Sequence, residues 1–156
     1  MVSDEARMRF NASYGGLSRR PDYDGKLTLS EANSWYRTGN GPLFVDVSKI
    51  NLSPVTVESF SNSNLLVKNF IFTSNLETGL VYGSITLTLL DRNTGLVKIG
   101  GKGNKIDRYD FDQKTNEKHR WNVFIRNTLT HVGEYVAGEG RPFDIYGYKK
   151  AYLPLK

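Results

Sequence analysis

The chain has no cysteine among its 156 residues. Disulfide frameworks, thiol nucleophiles and zinc–thiolate centres are therefore excluded, and a chain of this kind functions equally well in reducing and oxidising surroundings. Long apolar runs are also missing. No window approaches the roughly eighteen residues a membrane-spanning helix requires, and "MVSDEARMRFNASYGG" lacks the apolar centre of a secretory leader. There is no internal repeat and no low-complexity tract. Histidine is scarce, at two residues, so any imidazole chemistry falls to His119 or His131. Acid is in deficit: 21 Lys and Arg against 16 Asp and Glu leave a formal charge of +5. That balance favours an anionic partner, whether nucleic acid, acidic protein, phosphate ester or lipid surface, without choosing among them.

What is present indicates a folded domain. A hydrophobic share of 38% and an aromatic share of 12% exceed what disordered chains carry, and the length suits one core. Residues 1–26 read as an irregular lead-in or linker, because "SYGGLSRRPDYDGK" is dense in turn formers. Residues 27–156 read as a single domain. Thr28 with Glu31 three places on forms a capping-box pattern, and Leu29, Ala32, Trp35 and Tyr36 then recur at helical spacing until "RTGNG".

From Pro42 to about Leu96 the pattern predicts β structure. "LFVDVSKI", "VTVESF", "LLVKNFIFTS" and "LVYGSITLTLLD" are rich in β-branched and aromatic residues, and Ile85, Leu87 and Leu89 alternate. "DRNTG" is a hairpin turn with Gly95 available for positive φ. "LVKIGGKGNKIDRYDF" is the return strand, interrupted by glycines that mark a bulge or bend. A long amphipathic helix is predicted from about His119 to Val136, with Trp121, Ile125, Leu129, Val132 and Val136 as its stripe; His131 lies on that helix without a second ligand at helical spacing. "FDIYGYKKAYLPL" is a terminal strand. The fold class expected is α+β: a strongly curved antiparallel sheet, an open or half barrel, with a few surrounding helices.

The stretch "NKIDRYDFDQKTNEKHRWN" concentrates chemistry. Asp107 and Asp110 offer hard oxygens suited to Mg²⁺, which takes one or two carboxylates plus waters. His119 can exchange a proton near neutral pH, and Arg120 carries a planar fork matched to phosphate oxygens. A helix start beside them supplies unsatisfied N–H groups favourable to an anion. In a straight strand Asp107 and Tyr109 share one face and Asp110 points to the other, so the carboxylates converge if the chain bends at Tyr109–Asp110. A solvated, charged loop explains the same composition.

"DRYDF" followed by "HR" resembles the signature of the colicin M family of bacterial toxins, Asp-x-Tyr-Asp and then His-Arg. "TGNGPLFVDVSKINLSP" and "LVYGSITLTL" resemble two further blocks of that family's activity domain, in the same order, over roughly residues 27–136. Eight residues separate Asp110 from His119, more than in the family, and a surface loop absorbs such an insertion at small entropic cost.

The resemblance implies a Mg²⁺-dependent hydrolase that cuts lipid II between its polyprenyl chain and its pyrophosphate and so blocks peptidoglycan synthesis. It implies catalytic positions Asp107, Tyr109, Asp110, His119 and Arg120, with Asp107 and Asp110 holding the metal. It further implies a monomeric effector, secreted or delivered to the periplasm of a target bacterium, a cognate immunity protein, and no nucleic-acid partner. Two other readings remain at the level of the residues: a metal-dependent nuclease toxin acting on RNA or DNA through the same Asp, His and Arg set, and a non-catalytic binding domain. Against the nuclease stands a modest charge spread along the chain without a Lys/Arg run.

Overall fold

The computed structural model describes residues 20–70, 73, 75–110, 127, 130 and 140–156. It is an α+β fold. Among the described residues two continuous helices, α1 (Leu29–Thr38) and α2 (Leu76–Tyr82), accompany seven strands: β1 (Leu43–Asp46), β2 (Leu65–Asn69), β3 (Ser84–Asp91), β4 (Leu96–Ile99), β5 (Lys105–Tyr109), β6 (Phe143–Tyr148) and β7 (Ala151–Tyr152). The strands form two sheets, ordered β1-β6-β5 and β2-β3-β4-β7, and neither closes into a barrel.

The expected antiparallel order holds throughout the four-stranded sheet. In the three-stranded sheet β5 runs antiparallel to β6, whereas β1 lies parallel to it with Leu43 opposite Ile145. That pairing joins segments about a hundred residues apart, beyond the reach of any local pattern.

The α1 start is the one the capping box predicts. The Thr28 side chain accepts from Glu31 N at 3.1 Å, and Glu31 Oε1 accepts from Thr28 N at 2.9 Å. Each bond satisfies a backbone donor that the first helical turn leaves without an intrahelical partner. The hairpin at "DRNTG" also forms, with Gly95 at φ +84°.

Three segments differ from their sequence patterns. "VTVESF" is a tight 3₁₀ turn at Val57–Phe60 and not a strand. Val57 and Phe60, three apart, both enter the core, while Ser59 Oγ accepts from Thr56 N at 3.0 Å. The single return strand is two strands in different sheets. Gly100 and Gly103, at φ +93° and +69°, turn the chain between β4 and β5, so "GGKGN" is a sheet-to-sheet corner. Finally, residues 80–82 of "LVYGSITLTLLD" close helix α2 before the strand begins. Asn75 caps that helix, and its amide also donates to the carbonyls of Asn51 and Ser53 at 2.8 Å each; Gly83 at φ +68° ends it.

The core runs between the sheets and under both helices. Leu43, Val45, Phe70, Ile85, Leu87, Tyr109 and Ile145 are essentially inaccessible. The end of the lead-in packs against this body as well. Asp22 is wholly buried and accepts from Phe44 N at 2.7 Å and from Arg20 Nε at 3.0 Å. The long helix expected at 119–136 lies outside the described residues, apart from Asn127 and Thr130, both helical and exposed.

Candidate active site

Strand β5 sets the geometry. Its register against β6 shifts between Lys105 and Asp107, and beyond that bulge Asp107 and Tyr109 lie opposite Ile145 and Phe143, on the face that the buried core occupies. A bulge of this kind re-aims the residues that follow it. Arg108 points to the other face, where its guanidinium meets Asp144 Oδ1 at 2.9 Å and Lys105 Nζ approaches the same oxygen at 3.2 Å. Burial opposes ionisation of Asp144, yet the hydrogen bonds from Arg108 and Lys105 outweigh it and hold the carboxyl below its ordinary range.

Tyr109 is the anchor of the strand end. Its ring stacks on Phe143, with centroids 5.2 Å apart and planes at 21°, and meets the ring of Tyr36 edge-on at 6.0 Å and 72°. Both are geometries that aromatic quadrupoles favour. Its hydroxyl donates to Oδ1 of Asn33, itself buried on α1. Removing a side chain of this size from water contributes about 1.5–3 kcal/mol, and the buried hydroxyl has the partner that burial demands.

Asp110 leaves the strand. Its Oδ1 accepts from the Tyr36 hydroxyl at 3.1 Å. Tyr36 therefore touches both the ring of Tyr109 and the carboxylate of Asp110, so the residue expected to point away from the Asp107–Tyr109 face is tied to the helix covering that face. Strand β5 ends at Tyr109. Asp107 is half-buried on the same face, and its charge acts on Tyr82 of α2: burial first, and the Asp107 charge second, push the Tyr82 phenol well above its ordinary value. Arg37 stands with its guanidinium carbon 5.6 Å from the Tyr36 ring centre.

Of the five expected catalytic positions, Asp107 and Tyr109 lie on one face of β5 and Asp110 follows the strand, tied to Tyr36 of α1. His119 and Arg120 lie outside the described residues, as do Trp121 and His131. Among the described residues no group of three or more His, Cys, Asp or Glu is placed to hold a metal ion. A cation here would rest on the two carboxylates Asp107 and Asp110, a donor set that fits Mg²⁺ when waters complete its shell.

Asn33, Tyr36 and Tyr82 are site residues that sequence reasoning did not single out. The signal for the first was available. Asn33 falls at helical spacing with Leu29 and Tyr36, so a polar side chain stood on the apolar stripe and required a buried partner. Gly140 also belongs here: a Cβ at that position would stand 2.3 Å from Cδ2 of Tyr36, and Arg141 N donates to the Tyr36 carbonyl at 2.7 Å.

The architecture is that of an α+β domain with an acidic strand end held under a helix. No family model matches the sequence, and no curated protein matches it. Among solved structures the fold is similar to the crystal structure of pectocin M2, with a TM-score of 0.43 and 17% identity over 80% of this chain. The chain spans 52% of the length of that structure. No activity is transferred from a likeness at this level.

Proposed function

We propose that this chain is the catalytic domain of an antibacterial toxin that hydrolyses lipid II between the polyprenyl chain and the pyrophosphate. The sequence support is the Asp-x-Tyr-Asp and His-Arg pattern with its two accompanying blocks. The structural observation that carries the reading is the hydrogen bond from Tyr36 to Asp110. It ties Asp110 to α1 at the end of the strand that carries Asp107 and the buried Tyr109, and in sequence the segment with His119 and Arg120 follows.

In this reading Asp107 and Asp110 would hold Mg²⁺, which would supply positive charge beside the pyrophosphate. Arg120 grips phosphate oxygens, and His119 moves a proton to or from the reacting oxygen. Tyr109 is a positioning residue: its hydroxyl is committed to Asn33, and its ring sets the end of β5. The domain acts in the periplasm of a target cell, and its producer carries an immunity protein against it.

The test is direct. Purified protein is incubated with lipid II and Mg²⁺ and, in parallel, with total RNA and with plasmid DNA. Release of the polyprenyl product with intact nucleic acids is expected. Consumption of RNA or DNA with lipid II untouched would establish the nuclease reading instead, and inertness toward all three would leave a binding domain.

A further inference from the structure

The outer face of the four-stranded sheet carries exposed aliphatic side chains beside threonines and Lys98. Register fixes its membership. Leu65 and Val67 of β2 lie opposite Thr88 and Thr86 of β3, Thr88 lies opposite Lys98 of β4, and Leu96 lies opposite Tyr152 of β7. Paired residues share a face, and alternate residues along a strand return to it. The reverse side, Ile85, Leu87, Leu89, Val97 and Ile99, is core. On the outer side Leu65, Val67, Leu90 and Tyr152 keep 57%, 62%, 58% and 59% of their surface exposed. A sheet face over solvent ordinarily alternates to polar residues, so a row of aliphatic side chains there requires an explanation.

Charge selects the occupant. Next to this face a hollow of about 150 Å³ is lined by Leu90, Leu96, Lys98, Lys149 and Lys150, and no carboxylate lines it. Lys149 is engaged with Asp46 at 3.3 Å. Lys98 and Lys150 form no ion pair with any described residue. Aliphatic side chains set beside threonines, with lysine and tyrosine among them, are the chemistry of a membrane interface. Leucine and valine enter the acyl boundary, while lysine and tyrosine keep their polar ends at the headgroups.

We propose that this sheet face docks the domain on a bilayer containing anionic phospholipid, with Leu65, Val67 and Leu90 entering the interface and Lys98 and Lys150 meeting lipid phosphates. The proposal rests on the reading that the substrate is anchored in a membrane by a polyprenyl tail, and it supplies the surface that would bring the domain to that plane. It concerns residues in or next to the other sheet, none of them in β5.

Flotation with vesicles free of lipid II tests it. Vesicles of phosphatidylcholine with phosphatidylglycerol are compared with phosphatidylcholine alone, at low and high salt. The native protein is expected to float at least about tenfold more strongly with the anionic vesicles, less so in high salt. The Lys98→Gln/Lys150→Gln variant is expected to lose about fivefold in binding per lysine, and Leu65→Gln/Val67→Gln to lose binding to a similar extent, both with native circular dichroism. Should the glutamine pair at β2 unfold the domain, the lysine pair decides alone. Equal flotation with both vesicle types, unchanged flotation of the lysine variant, or absence of flotation with self-association through this face would overturn the proposal.

The two readings separate cleanly. Asp110→Asn is expected to float as the native protein does. Flotation without lipid II cleavage refutes the activity and leaves the docking face standing; cleavage of lipid II in detergent without flotation does the reverse.

Discussion

The hydroxyl of Tyr36 donates to Oδ1 of Asp110 across 3.1 Å, linking the last turn of α1 to the residue that leaves β5. The bond spans 74 positions of sequence and joins the helix to the acidic motif. Removing the oxygen while keeping the ring isolates its role. Tyr36→Phe is expected to cost about 1 kcal/mol in urea unfolding and to lower lipid II turnover more than tenfold. Turnover equal to the native rate would show that this bond does not position Asp110 for the reaction.

Asp110→Ala removes the carboxylate itself. Lipid II cleavage in Mg²⁺ is expected to vanish while the circular dichroism spectrum stays native, and His119→Ala is expected to do the same. Product release measured by chromatography checks both, and retained cleavage in either variant defeats that assignment.

Asn33 and Tyr109 share a buried hydrogen bond. Tyr109→Phe leaves the amide oxygen of Asn33 without this donor in a dry site, and a loss of about 1–3 kcal/mol is expected. Because both changes break one interaction, the Asn33→Leu/Tyr109→Phe double variant should lose less than the sum of its single variants. Denaturant midpoints for the four proteins measure the coupling; strict additivity would contradict it.

A Cβ at Gly140 would stand 2.3 Å from a ring carbon of Tyr36, far inside contact distance. Gly140→Ala is expected to displace the Tyr36 ring, costing about 1–3 kcal/mol and reducing activity through Asp110. Gly101→Ala is the control for contact: nothing lies within 4 Å of its added carbon. Thermal melts and turnover should separate the two variants.

Acid should destabilise the fold partly through Asp46. Burial works against its ionisation, but bonds from the Ser48 side chain and backbone and from Lys149 outweigh that and keep its carboxyl below the ordinary 3.8. A depressed native value means the unfolded chain binds the proton more tightly. The stabilisation is therefore complete above about pH 5 and disappears as pH falls through 3.8 and then through the native value. Asp46→Asn should be less stable at pH 7 and show a flatter loss between pH 5 and pH 2. Tyr82 gives the opposite limb: its raised phenol stabilises below pH 10 and ceases to do so above it, so Tyr82→Phe should flatten the alkaline decline.

Local chemistry made much of this legible in the sequence. The Thr28–Glu31 box, the Gly95 turn and the alternation through Ile85, Leu87 and Leu89 each depend on neighbours a few residues away, and each appears in the structure as read. The Asp107, Tyr109 and Asp110 trio was visible for the same reason. Helix α2 was not, because seven residues carry too few turns to establish a helical period against the β-rich sequence around them. The corner at Gly100–Gly103 read as a bulge because glycine announces a change of direction and not which sheet the chain enters next.

The sequence by itself determined the composition of the acidic strand end, the cap of α1 and the α+β class, since backbone propensity, side-chain chemistry and short-range spacing are properties of contiguous residues. Tertiary structure alone decided that β1 would lie parallel to β6, that Tyr109 would be locked to Asn33, and that Tyr36 would hold Asp110. Each of those joins residues at least 70 positions apart. Such pairings form when burial of the shared core offsets the entropy of closing a long loop, and no local pattern encodes which partner will be there.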